Sequence, residues 1–213
     1  MNVLEQIQQG VISYKPPAVK AACELALSEG LEPQRIVQEG LIAGMAVVGG
    51  KFRRNEVFVP EVMIAARAMQ AGLSVVKPLL SHSEVKALGT VVIGTVKGDM
   101  HDIGKNLVAM MLEGAGFHVV DLGINTAPLR FVQAVQENAA QVVGISSLIT
   151  NTLPSMKETI QALQQAGLRR QVKIIVGGAP VSQAFADKLG ADAYAADAAA
   201  AVDKVKEMLG LAV

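Results

Sequence analysis

The hydrophobic rhythm of the chain changes once, near residue 88. Before that point apolar positions recur every three or four residues. Val37, Leu41, Gly44 and Val48 form one such series, and Val59, Val62, Ala66, Met69 and Leu73 another. This spacing predicts amphipathic helices. Pro60 suits the first turn of the second, where a missing N–H costs nothing. Two earlier helices are expected around Val3–Ile12 and Pro17–Leu27, with Gly30 near the end of the latter. Four helices on short connections predict a small antiparallel bundle over residues 1–80. "SHSEVK" (Ser81–Lys86) follows neither apolar period and reads as the centre of a linker, residues 81–88.

From Gly89 onward short aliphatic runs alternate with helical segments. "GTVVIGTV" (Gly89–Val96), "HVVDLG" (His118–Gly123), "VVGISS" (Val142–Ser147), "KIIVGG" (Lys173–Gly178) and "DAYAA" (Asp192–Ala196) read as strands. Near-continuous apolar runs suit a sheet covered on both faces. The intervening "GKNLVAMMLEGAG", "APLRFVQAVQENA", "LPSMKETIQALQQAG" and "VSQAFADKLG" read as crossover helices, and Asp197 as the N-cap of a last one over Ala198–Leu209. The predicted fold class is α/β: a helical bundle, then a doubly wound, five-stranded parallel sheet over residues 89–213. Such sheets bind ligands at the carboxyl ends of their strands, beside a topological switch point.

Composition narrows the function classes. The chain has 213 residues, 51% of them hydrophobic, and 19 basic side chains balance 19 acidic ones. Bulk attraction to nucleic acid or to an anionic membrane is therefore not expected. Trp is absent and aromatics reach only 3%, which leaves few platforms for stacking bases. "MNVLEQIQQG" lacks the cationic start and apolar core of a secretory signal. Gly, Lys and Arg interrupt each apolar stretch before the roughly 18 residues that a membrane span needs. Cys23 is the single cysteine, so no internal disulfide forms. The expectation is a soluble cytoplasmic protein.

Against this aliphatic background "GDMHDIGKN" (Gly98–Asn106) stands out, and it follows the first strand. Three readings compete. Asp and Asn at a helix start are ordinary capping residues. A nucleotide P-loop is a near miss: five residues separate Gly98 from Gly104, and Asn106 replaces the hydroxyl that would hold magnesium. A metal-ligand loop explains more. Asp99 and His101 supply a carboxylate and an imidazole two apart, so one ring nitrogen is available to a metal while the other N–H is held. Gly98 and Gly104 let a flat ligand approach. One protein ligand is too few for a structural zinc site, so the remaining ligands must come with a macrocycle.

The stretch resembles the D-x-H-x-x-G signature of cobalamin-binding domains, with Asp99, His101 and Gly104 in place and Met100, Asp102 and Ile103 between them. "GISSLIT" is similar to the family's S-x-L-x-T segment (Ser146, Leu148, Thr150), and "VGGAP" to its Gly-Gly signature (Gly177, Gly178). "GMAVVGGKFRRNEVFVPEVMIAARAM" (Gly44–Met69) resembles the cap helices of methionine synthase and of corrinoid proteins in methyltransferase systems. The resemblance implies cobalamin or a related corrinoid bound base-off and His-on. His101 would be the cobalt ligand, Asp99 its hydrogen-bond partner, and Thr152 would stand where the family's relay has a serine. Ser146 and Thr150 would bond the nucleotide tail, Gly177 and Gly178 would make room for it, and Gly94 and Thr95 would line the same slot. Phe52, Val59 and Val62 match cap positions that shield the upper face of cobalt.

The implied function is a corrinoid methyl carrier that turns over nothing alone. It would take a methyl group from a substrate:corrinoid methyltransferase and pass it to a second methyltransferase acting on tetrahydrofolate or coenzyme M. A reductive activase would be a third partner, and Ser81–Lys86 a hinge for the cap. Two rivals share the binding domain. A cobalamin-sensing regulator should carry a basic DNA-reading segment, and none is seen. A small B12-binding subunit of a mutase leaves the cap resemblance without a role.

Overall fold

The computed structural model describes residues 1–79 and 87–211; the expected hinge Ser81–Lys86 lies outside them. The chain divides into two compact units, Met1–Ala87 with Glu113–Gly116, and Leu88–Leu112 with Phe117–Val213.

In the helical unit, α1 (Val3–Ile12) opens with a reciprocal cap. The Glu5 N–H donates to Asn2 Oδ1 at 2.8 Å, and the Asn2 N–H donates to Glu5 Oε2 at 2.9 Å. After α2 (Pro16–Ser28) comes a third rod made of α3 (Pro33–Arg35), a π-helical stretch (Ile36–Ile42) and α4 (Ala43–Arg53). The expected 3.6-residue period is therefore interrupted by wider turns, which keep Ile36, Val37, Gly40 and Leu41 all buried. Glycines set the spacing to α1. A Cβ at Gly40 would stand 2.9 Å from Ile7 Cγ2, and one at Gly44 would stand 3.1 Å from the Gln8 carbonyl oxygen.

The fourth rod is α5 (Val59–Val76), followed by a 3-10 turn (Lys77–Leu79). Together, Val59–Leu79 is long and apolar enough by length and composition to cross a membrane, which corrects the expectation that no stretch would be. The reason lies in its small apolar residues, which serve helix packing here. Ala65, Ala66, Ala68 and Gly72 are buried, and a Cβ at Gly72 would come within 2.6 Å of Leu41 Cδ2 and 3.0 Å of Cys23 Sγ.

The second unit is the predicted α/β layer structure. Strands β1 (Thr90–Thr95), β2 (His118–Asp121), β3 (Val142–Ser146), β4 (Lys173–Gly177) and β5 (Ala193–Ala195) form one parallel sheet in the order β2-β1-β3-β4-β5. Helices α6 (Ile103–Gly114), α7 (Pro128–Asn138), α8 (Leu153–Gln165) and α9 (Gln183–Leu189) make the crossovers, and α10 (Ala198–Met208) closes the chain. Asp197 Oδ1 accepts the Ala200 N–H at 2.8 Å, the cap expected for α10. Phe131, Met156, Ile160, Leu163 and Ile174 fill the core beside the sheet.

Strand order reverses direction at β1, because β2 lies on one side of it and β3 on the other. The crevice beyond the carboxyl ends of β1 and β3 is thus the switch point where this architecture binds ligands. Thr95, Ser146, Gly177 and Ala195 stand in register across that end, a row of small side chains.

Candidate functional site

The turn after β1 carries the Asp–x–His pair over the end of the sheet. Gly98 holds a φ of 86°, which lets the chain reverse without a side chain in the way. Asp99 is buried while His101, two residues on, has a side chain that is 51% exposed. Every acceptor position of the carboxylate is engaged. Oδ1 receives the His101 N–H at 3.1 Å and faces His101 Nδ1 at 2.7 Å. Oδ2 receives the Leu148 N–H at 2.7 Å and the Thr152 hydroxyl at 2.9 Å. Burial alone would favour the protonated acid. The amides of Leu148 and His101, with the imidazole and the hydroxyl, outweigh it and hold Asp99 well below the usual carboxylate range.

An ionised Asp99 only accepts, so the proton between it and the ring belongs to Nδ1. Nε2 has no protein partner among the described residues. Around it the rim is apolar and exposed: Met100 is 64% exposed, Ile103 76% and Leu148 42%. Gly104 faces open space, with nothing within 4 Å of where its Cβ would be. Asp102 is exposed and its Oδ2 accepts from Asn106 Nδ2 at 3.1 Å, local bracing of the start of α6.

The other predicted residues divide by what they touch. Thr95 is buried and its hydroxyl donates to the His101 carbonyl at 2.8 Å, so it ties down the turn. At Gly94 the space is taken by α7: a Cβ would meet the Phe131 ring at 2.8 Å. Ser146 and Thr150 make no side-chain hydrogen bond among the described residues. Gly178, with φ 119°, brings the end of β4 against β3, where a Cβ would lie 1.9 Å from the Ser147 carbonyl oxygen. Gly177 is under less pressure, its Cβ position being 3.1 Å from the Ala195 carbonyl oxygen. Within the helical unit Phe52 and Val59 are half-buried, and Val62 is fully buried.

Residues 89–203 match the family described as B12 binding domain, and residues 3–77 match a second family of the same description. The chain is 47% identical over 209 residues to a dimethylamine corrinoid protein of Methanosarcina mazei, covering 98% of this chain and 96% of that one. The chain belongs to the B12-binding corrinoid proteins. Two solved structures resemble it over nearly its whole length. One is the methanol:cobalamin methyltransferase complex of Methanosarcina barkeri, with a TM-score of 0.91 at 29% identity over 98% of this chain and 80% of that one. The other is a cobalamin-binding protein from Desulfitobacterium hafniense, with a TM-score of 0.77 at 32% identity over 96% and 97%.

The residues present suit a corrinoid. Among the described residues no three His, Cys, Asp or Glu side chains gather to hold a bare metal ion. A single imidazole with an open nitrogen, ringed by exposed apolar side chains, instead fits a flat ligand that carries its metal inside a macrocycle.

Three features of this candidate site were not assigned from the sequence. Lys105 Nζ is buried against Asp121 at the start of α6, Asn125 grips the turn from the loop after β2, and Ser147 Oγ lies 2.8 Å from the Thr152 hydroxyl. For Lys105 a signal was present, since a lysine in the first turn of a helix opposes the helix dipole and needs a partner. Asn125 looks like an ordinary loop residue, and Ser147 like an ordinary strand end, until the strands are placed side by side.

Proposed function

We propose that this corrinoid protein is a methyl carrier between two methyltransferases, the first of which demethylates a methylated amine. The carrying observation is the half-exposed His101 ring, whose Nε2 has no partner among the described residues, backed by the buried Asp99. Support for the amine comes from the 47% identity with a dimethylamine corrinoid protein, close to full length on both chains. Support for a protein partner comes from the fold match to a methanol:cobalamin methyltransferase complex.

When bound, the corrinoid supplies a cobalt that takes a methyl group from one protein-held donor and yields it to another. The chain's own residues do the rest. His101 would hold the cobalt from below through Nε2, with the cofactor base-off. Asp99 fixes the ring and its tautomer, and the Thr152 hydroxyl and Leu148 N–H fix Asp99. With Nδ1 held against Asp99, the ring would turn Nε2 to the metal. Ser146 and Thr150 would bond the displaced nucleotide tail beside Gly177 and Gly178. Met100, Asp102, Ile103, Gly104 and Leu148 would lie under or beside the ring. Shielding of the reactive face by Phe52, Val59 and Val62 is carried over from the family resemblance alone. Coenzyme M or tetrahydrofolate is the proposed final acceptor, a reductive activase the proposed repair partner, and the cytoplasm the proposed compartment.

The test is methyl transfer by the loaded protein. With a dimethylamine methyltransferase and a second, acceptor-specific methyltransferase, label from dimethylamine should reach the acceptor only when both enzymes and this chain are present. Transfer from methanol instead, through a methanol methyltransferase, would move the donor class. Transfer by this chain alone, or none with any donor despite full corrinoid loading, would overturn the carrier reading.

A further inference from the structure

The turn bearing His101 is gripped at both ends by one neighbouring segment, the last residue of β2 and the loop that leaves it. At its start the Gly98 N–H donates to Asn125 Oδ1 at 2.8 Å, and the Asn125 N–H donates to the Asp99 carbonyl at 2.9 Å. Asn125 does this from a φ of 49°, a left-handed conformation that few residues besides Gly, Asn and Asp adopt readily. At the far end, Lys105 Nζ donates to Asp121 Oδ1 at 2.7 Å and to Asn106 Oδ1 at 2.6 Å. Asp121 Oδ1 also accepts the Gly123 N–H at 2.9 Å, which stiffens the loop between the two grips.

Lys105 is badly placed for every purpose but this one. Its side chain is 1% exposed, and it sits in the first turn of α6, where the helix dipole disfavours a cation. Asp121 compensates for both. The Asp99–His101 contact cannot replace these grips, because both residues ride on the same turn: it orients the ring but does not locate the turn over the sheet. Thr152 and Leu148 anchor Asp99 from the β3 side. Asp121 and Asn125 are the corresponding anchors on the β2 side, and between them the chain has pliable glycines at 98 and 104.

We propose that Lys105, Asp121 and Asn125 are positioning residues that set where Nε2 of His101 meets the corrinoid. This rests on the reading of His101 as lower axial ligand. Loss of an outer partner of a metal ligand typically weakens metal binding about 10- to 100-fold, and that is the effect expected here.

The experiment measures cobalamin affinity, thermal stability and the electron paramagnetic resonance of the loaded protein reduced to cobalt(II), in which an axial nitrogen splits the cobalt lines. Asp121→Asn alone should lower stability, since it leaves the buried Lys105 ammonium without its counter-charge, whereas Lys105→Met leaves Asp121 exposed to solvent and should cost less. The double variant K105M/D121L removes both charges and should recover stability, yet still bind cobalamin about 10- to 100-fold more weakly, with reduced nitrogen splitting. Asn125→Gly keeps the backbone conformation and loses the side-chain acceptor, so it should weaken binding, whereas Asn125→Asp keeps an acceptor and should restore it. A double variant with native affinity and native splitting would make the ion pair merely structural and overturn the proposal for Lys105 and Asp121. Equal binding by the Gly and Asp variants at 125 would overturn it for Asn125, whether or not the double variant folds. If His101→Ala leaves the splitting of the native protein unchanged, the axial reading itself falls, and this inference with it.

Discussion

Two glycines separate what the fold needs from what the ligand needs. Gly178 is required by the chain itself, because its φ of 119° and the 1.9 Å approach of the Ser147 carbonyl oxygen leave no place for a Cβ. Gly178→Ala should cost about 3 kcal/mol or more in denaturant titration, as backbone must move. Gly104 is required by nothing in the chain, since its Cβ position faces open space near the start of α6. Gly104→Ala should therefore raise folding stability by roughly 0.5–1 kcal/mol, a helix-propensity gain. It should weaken cobalamin binding by about tenfold or more, equivalent to ~1.4 kcal/mol. A Gly104→Ala protein that is more stable and binds normally would remove this residue from the site. Both glycines were legible in the sequence as members of motifs. Their different reasons were not, because φ and the distance to a neighbouring strand are tertiary facts.

At the scale of elements, the helical unit turns on the crossing of α2 and α5. Gly72 meets Cys23, Leu41 and Val19 there, with Cβ distances of 2.6–3.0 Å. Gly72→Ala gains helix propensity but overpacks that crossing, and should destabilise the unit by about 1–3 kcal/mol. The same burial pushes the Cys23 thiol up to about 11, with the charge of Glu24 adding to it. A thiol neutral in the fold and ordinary when unfolded, near pKa ~8.5, contributes stability fully below that value and loses it as pH rises. Unfolding measured from neutral pH upward should show a decline that begins near pH ~9 and continues towards about 11, and Cys23→Ala should flatten it. A slope unchanged by that substitution would assign the alkaline loss to other groups. Periodicity found this unit's rods but missed the π-helical stretch at Ile36–Ile42, since positions 37, 41, 44 and 48 satisfy an α-helical spacing on paper. What widened the turns is the packing of Ile36, Val37, Gly40 and Leu41, a choice made by neighbours and not by local propensity.

For the molecule as a whole, the parallel sheet was legible because its strands are bare aliphatic runs cut by helix signals, and the order β2-β1-β3-β4-β5 puts the polar turn where such sheets bind ligands. The site was half legible. Asp99 and His101 were legible from their spacing and Thr152 only through the family resemblance, and the three lie within hydrogen-bonding distance, whereas Lys105, Asp121 and Asn125 meet only once β2 lies beside β1. All of it serves one claim, that a protein imidazole and not the cofactor's own base stands under the cobalt. Labelling only the histidines with nitrogen-15, loading the protein with unlabelled cobalamin and recording the cobalt(II) resonance tests this directly. The account predicts that the triplet splitting from ordinary nitrogen becomes a doublet, and that His101→Ala abolishes the doublet. A triplet that survives the labelling would place the benzimidazole on cobalt and contradict it.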